Sequence, residues 1–195
     1  MAASSFIELV FALGLAATLA AAAVPQSRAS LDDLQARGAA RYLSSQLQRA
    51  RMDAIVRNRA VALRVSRADG GRYTFALVAD GNRNGVLTRD IRAGVDRTMA
   101  PAEAIYAQFP GADFGVLPAL PAVDGSATPP GTDPVRLGSG NMAVFTPLGT
   151  ATAGSLYIRS RGGAQYVVRI YGETGRTRVL KFNPGNRSWI PLHEG

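Results

Sequence analysis

Three kinds of hydrophobic pattern follow one another along the chain. Residues 9–27 carry no charge and are rich in Ala and Leu, with Val10, Phe11 and Val24 among them. At 1.5 Å per residue a helix over 4–25 is roughly 33 Å long, about the thickness of a bilayer core. From residue 28 to 58 the pattern changes to helical spacing, with Ala36, Ala39, Leu43, Leu47, Ala50 and Ala54 on one side. Asp32, Asp33, Arg37, Arg41, Arg49, Arg51 and Arg57 lie between them. This predicts an amphipathic helix of about 30 residues. Its acids near the start and Arg57 near the end match the helix dipole. Pro25 lies at the join and is expected to kink or interrupt it, because it removes one backbone donor and crowds the preceding turn.

Beyond residue 58 the period shortens to that of strands. Residues 61–65 alternate, and 72–78 are rich in strand formers before the turn Asp80-Gly81-Asn82-Arg83-Asn84-Gly85. Weaker strand candidates cover 86–98 and 104–109. Residues 110–140 hold six prolines and many glycines and read as a long loop with room for one short strand. Three clean runs follow at 155–159, 165–171 and 177–182, separated by Gly162-Gly163 and by Glu173-Thr174-Gly175, which predicts a meander of two hairpins. A short tail over 183–195 contains Trp189.

Composition narrows the chemistry. The 195 residues include no cysteine and one histidine, His193, which removes disulfides, thiolate metal sites and most nucleophile and acid–base sets. The formal net charge is +8, almost all of it arginine, with Lys181 the only lysine. Such a chain is drawn to polyanions, although an arginine-rich compositional habit produces the same balance. Glu8 stands inside the start of the apolar run with no Lys or Arg before it, unlike a cleaved secretory signal. A carboxylate at that depth is costly and marks a functional position.

A short polar start, Glu8, about twenty apolar residues and then Pro25 together resemble the N-terminal signature of type IV pilins and pseudopilins. The remainder resembles the GspH/FimT branch of minor pilins and pseudopilins. The residues carrying that likeness are Ala50-Arg51, Ala54-Ile55 and Arg57-Asn58, the 80–85 turn, Gly154-Ser155-Leu156-Tyr157 and Gly175-Arg176-Thr177-Arg178. The resemblance implies an α+β pilin fold, a long N-terminal helix with a membrane half and an amphipathic half packed on an antiparallel β-sheet. It divides the chain into a residual leader (1–3), a transmembrane and filament-core helix (4–26), its amphipathic continuation (27–58) and a globular periplasmic domain (59–195). It implies a structural subunit of a type IV pilus or a type II secretion pseudopilus, not an enzyme, and no cofactor. The expected partners are other pilins or pseudopilins, the inner membrane before assembly, and a prepilin peptidase. The peptidase would cut after Ala3 and leave Ser4 as the methylated amino-terminus. Ala3 stands where the family usually has glycine, and Ser4 where it usually has phenylalanine or methionine.

Within that frame Glu8 would pair with the amino-terminus of a neighbouring subunit in the filament core, where a lone carboxylate is expensive. Arg176 and Arg178 would share one face of a strand, with Arg169 and Lys181 in the same region. From Gly154 to the end there are seven basic residues against Glu173 and Glu194, a concentration suited to phosphate-backbone contacts. The matching element in FimT-like proteins implies double-stranded DNA as an alternative partner, during natural transformation. Asp80, Asn82 and Asn84 match the first half of a calcium loop. Ile91 stands at its twelfth position, which favours a plain turn. An unrelated membrane-tethered β-domain or enzyme is the remaining alternative.

Overall fold

A computed structural model describes residues 5–68, 70–123, 128–138 and 140–192, with the side chains of 19–27 outside that description. Ala3 and Ser4 lie outside the described residues, as does the side chain of Pro25. A 52-residue helix, α1 (Phe6–Arg57), begins the fold. It runs through Pro25 without interruption, as one long helix; a single lost donor leaves the bonds of the neighbouring turns to carry the helix across. It ends at Asn58, which adopts the left-handed conformation (φ 48°) and turns its N–H back to the Ala54 and Ile55 carbonyls.

Among the described residues ten strands follow in two antiparallel sheets, where the sequence predicts one. The first sheet joins β1 (Val61–Arg67) to β2 (Tyr73–Ala79) on one side and to β6 (Met142–Phe145) on the other, with β3 (Arg97–Thr98) outside β2. The second runs β10 (Ser188–Pro191), β9 (Thr177–Asn183), β8 (Gln165–Ile170), β7 (Gly154–Ser160), β4 (Ala112–Phe114), and β5 (Val135–Arg136) also pairs with β7. The 155–182 meander forms as the alternation predicts. The strand expected over 86–98 is instead α2 (Thr88–Arg92) followed by β3. Asp96 draws that segment back by accepting from the Gly81 and Leu87 amides, both at 2.9 Å. The candidate over 104–109 is the short helix α3 (Ile105–Gln108), which buries Ile105. The proline-rich 110–140 stretch contributes two short strands, β4 and β5, both held by β7.

The core lies between α1 and both sheets. Ala36, Ala39, Ala40, Leu43, Leu47, Ala50 and Ala54 are fully buried on the helix. They meet Leu63, Phe75 and Phe145 of the first sheet and Leu156, Ile158, Tyr166, Val168 and Ile170 of the second. Alanine dominates this face because a small side chain lets the strands approach the helix backbone, and the two leucines fill the remaining depth. Two smaller clusters cover the outer faces of the sheets. One holds Ala62, Val78, Val86 and Met142. The other gathers Leu120, Tyr157, Val167 and Leu180, with Trp189 packed against it. Trp189 stands edge-on to Tyr157 at 6.0 Å and donates to the Pro121 carbonyl at 3.2 Å.

Candidate functional site

Among the described residues, the start of α1 makes no contact with the sheets. Every described residue from 5 to 18 is exposed, including Phe6 at 81% and Phe11 at 74%. Glu8 is part of the helix start. Its Oε2 accepts the Ser5 amide at 3.0 Å, while Ser5 Oγ accepts the Ile7 amide at 3.3 Å. With the Glu8 amide also facing the Ser5 side chain, the two residues form a capping box. The Ser5-x-x-Glu8 spacing is legible in the sequence and carries this second role for Glu8. Among the described residues no helix is long and apolar enough to cross a membrane. The proposed 4–26 span falls partly on the undescribed residues, namely Ser4 and the side chains of 19–26.

At the other end of the packed half, the predicted arginine pair is brought together. A groove of about 760 Å³ runs between α1 and the start of β9, lined by Arg176, Arg178 and Thr177 and by Arg41, Ser44 and Gln48 of the helix. Gly175 precedes the groove-lining run of β9 and packs tightly against the turn at Gly149. Its φ is +60°, and a Cβ there would come within 2.3 Å of the Gly149 carbonyl oxygen. Arg51 crosses beneath, donating to that same carbonyl at 3.2 Å. Thr177 is fixed against the helix by Ser44 Oγ at 2.6 Å and by Gln48 Nε2 at 3.0 Å. Arg176 and Arg178 are exposed and, among the described residues, their side chains form no hydrogen bond or ion pair. Sequence reading missed the helix side of this groove. The i, i+3, i+7 spacing of Arg41, Ser44 and Gln48 signals one polar face.

Lys181 stands apart from this pair, whereas Arg169 neighbours Arg178 on the sheet. Lys181 Nζ contacts Asp33 Oδ2 at 2.8 Å, and the Tyr166 hydroxyl donates to Asp33 Oδ1 at 2.8 Å. This triad ties the start of the packed half of α1 to β8 and β9. Burial, and then the Asp33 carboxylate, push the Tyr166 phenol well above its ordinary range. Arg169 lies opposite Arg178 across the β8–β9 ladder. Its Nη1 donates to Ser155 Oγ at 3.1 Å, and it lines a separate small cavity with Arg136.

The 80–85 segment is a turn held by its own carboxylate. Asp80 is buried. Its Oδ1 accepts from the Asn82 and Arg83 amides at 3.1 and 2.7 Å, and its Oδ2 from Gly85 at 2.8 Å. The Asn82 and Asn84 side chains donate to Asp90, at 3.4 and 2.9 Å. Bonding to these donors holds the Asp90 carboxyl below the usual carboxylate range, Asn84 contributing most. Among the described residues no group of three His, Cys, Asp or Glu is arranged to hold a metal ion.

A long helix that packs one half on antiparallel sheets and leaves the other half bare and apolar is consistent with a pilin-like subunit. The chain belongs to the type II transport protein GspH family, whose family model matches residues 39–175. That match begins on the packed half of α1 and stops at Gly175, so Glu8, Pro25, Arg176 and Arg178 lie outside it. No curated protein and no solved structure matches the chain.

Proposed function

We propose that this chain is a structural minor pseudopilin or minor pilin, anchored by the first half of α1 in the inner membrane with its β-rich domain in the periplasm, and then drawn into a filament. Membership of the GspH family supports a pseudopilin or minor pilin role, an association with sibling pseudopilins and a structural rather than enzymatic task. The observation that carries the finer reading is the bare apolar half-helix with Glu8 at its head. A surface hydrophobic all round is stable only in an apolar environment, which lipid supplies before assembly and other subunits supply after it. In the filament Glu8 exchanges its bond to the Ser5 amide for a neighbour's amino-terminus, which fixes axial register. Prepilin peptidase acting after Ala3 would free that amino-terminus at Ser4.

The test is co-assembly. Glu8→Ala is expected to remain in the membrane fraction and to lose co-purification with sibling subunits, whereas Pro25→Ala retains both. A Glu8→Ala chain that assembles normally would sink the register role. Wild-type chain released from membranes by alkaline carbonate would sink the anchor.

A second reading, a minor pilin that captures double-stranded DNA, is favoured by Arg176 and Arg178 in the groove, which have no ion pair among the described residues. It predicts weak binding with little sequence preference and a steep fall with salt. Gel shifts with the full chain in detergent test it. Arg176→Ala with Arg178→Ala should abolish the shift. Lys181→Ala should weaken it little, because Lys181 is already held by Asp33.

A further inference from the structure

We propose that the end of the globular domain from which the bare half of α1 emerges rests on a layer of anionic phospholipid headgroups. The inference rests on the reading that this half-helix lies in the bilayer. The contacts along α1 orient the domain. Gly149 and Gly175 meet the helix at Arg51, near its C-terminus, and Phe109 meets it at Gly38. The β7–β8 turn and the turn before β4 meet it lowest. A Cβ on Gly162 would lie 3.4 Å from Asp32 and 3.7 Å from the Ala29 Cα, and one on Gly111 would lie 2.8 Å from Asp32 Oδ1. The Arg161 amide donates to the Gly111 carbonyl at 2.7 Å, which locks the two turns together.

The uncharged run ends at Ser27, and these turns touch the helix at Ala29 and Asp32, within about 3 to 8 Å of where the apolar run stops, counted at the helical rise of 1.5 Å per residue. Whatever lies there faces the headgroups once the run fills the hydrocarbon.

The residues that lie there are cationic. Arg28 is exposed on the helix at that level. A cavity of about 600 Å³ between the two turns is lined by Arg72, Arg159 and Arg161, together with Tyr106 and Asp113. Arg72 lies over the face of the Tyr106 ring at 4.3 Å, a cation–π contact, and tyrosine is a residue enriched at membrane interfaces. All four arginines are exposed, and none forms an ion pair among the described residues. The acids nearby are Asp32 and Asp113, so the patch keeps a positive excess. A concave cationic surface facing the membrane matches a phosphodiester headgroup in both charge and shape. Contact there would set the tilt of the domain and hold the subunit flat on the membrane until assembly lifts it.

The chain has no cysteine, so one engineered thiol carries a single reporter. Gly162→Cys places it beside Arg161, and its Cβ makes only ordinary contacts. The full chain is reconstituted in vesicles of phosphatidylcholine and in vesicles containing added phosphatidylglycerol, with a headgroup-bound quencher. Quenching is expected to rise several-fold with phosphatidylglycerol and to fall with salt. It should be lost in Arg159→Glu with Arg161→Glu but kept in Arg176→Glu with Arg178→Glu, an equal charge change in the other groove. Arg28→Glu, on the helix surface, should give the same loss without touching either turn. Equal quenching in the two vesicle types, or an equal response to the two double reversals, overturns the proposal while flotation shows the chain still anchored. A chain that floats with neither vesicle type overturns the anchor itself.

Discussion

The two halves of α1 have the same secondary structure and opposite surroundings. The packed half buries a stripe of five alanines and two leucines at helical spacing, and its opposite side exposes Leu31, Leu34, Met52 and Val56 among arginines. The bare half shows Phe6, Ile7, Phe11, Leu13 and Leu15 around its circumference with no face reserved for the domain. A stripe specifies one partner surface, and here the chain supplies it as two sheets. A fully apolar circumference specifies an apolar surrounding on all sides, which a single domain cannot supply. Helical structure therefore carries little information about what each half binds. The distribution of apolar residues around the axis carries it.

The contrast breaks hardest at the leucines. Leu43→Ala or Leu47→Ala should each cost about 2–5 kcal/mol, because both side chains are fully enclosed between helix and sheets and the cavity can collapse only in part. Denaturant unfolding of the full chain in detergent reads this. A cost under about 1 kcal/mol would mean that this half, too, is held from outside.

Asp33 stands near the boundary between the halves, and the next largest effect belongs there. Asp33→Ala strips Lys181 of its ion pair and leaves the fully buried Tyr166 with an unsatisfied hydroxyl, a loss of about 1–3 kcal/mol. The same triad makes stability depend on alkaline pH. Tyr166 is raised in the folded state, so the native chain keeps a proton that the unfolded chain releases near pH ~10. Its contribution is complete below that pH and is lost as pH rises through the folded value. Unfolding midpoints measured from neutral pH upward should fall on the alkaline side, and Tyr166→Phe should make the fall shallower. Part of it should persist, because burial and the Glu103 hydrogen bond also raise Tyr42. An identical alkaline limb in Tyr166→Phe would place the effect elsewhere.

These contacts mark where sequence reading stops. Six of the seven buried positions on α1 are legible from the 3.6-residue period, and only Ala40 escapes. The strands β1 and β2 are legible from their strand-forming runs, and the hairpins β7–β8 and β8–β9 follow from alternation between glycine turns. The helices α2 and α3 span five and four residues, too short to show a period, and read as weak strands. Strand β6 is equally short, and its place beside β1 depends on a pairing across some eighty residues that no local pattern encodes. The same holds for β4 and β5, which exist because β7 offers an edge. At the site, Arg176 and Arg178 share a groove as strand alternation suggests. The bond from Lys181 to Asp33 spans 148 positions and redirects a cation that local sequence groups with the arginines.

The smallest effect on stability is expected from the bare half, and it sharpens the contrast most. Phe11→Ala removes a large side chain that touches nothing in the domain, so the unfolding midpoint of the packed part should stay within about 0.5 kcal/mol of wild type. The same change removes apolar area that the surroundings are meant to cover, and each such side chain contributes about 1.5–3 kcal/mol when fully transferred from water. Partition into vesicles, or retention in a filament with sibling subunits, should therefore weaken while the fold does not. A variant that loses stability and keeps its partition would place Phe11 against the domain, and the bare half of α1 would then be an internal element rather than a surface kept for others.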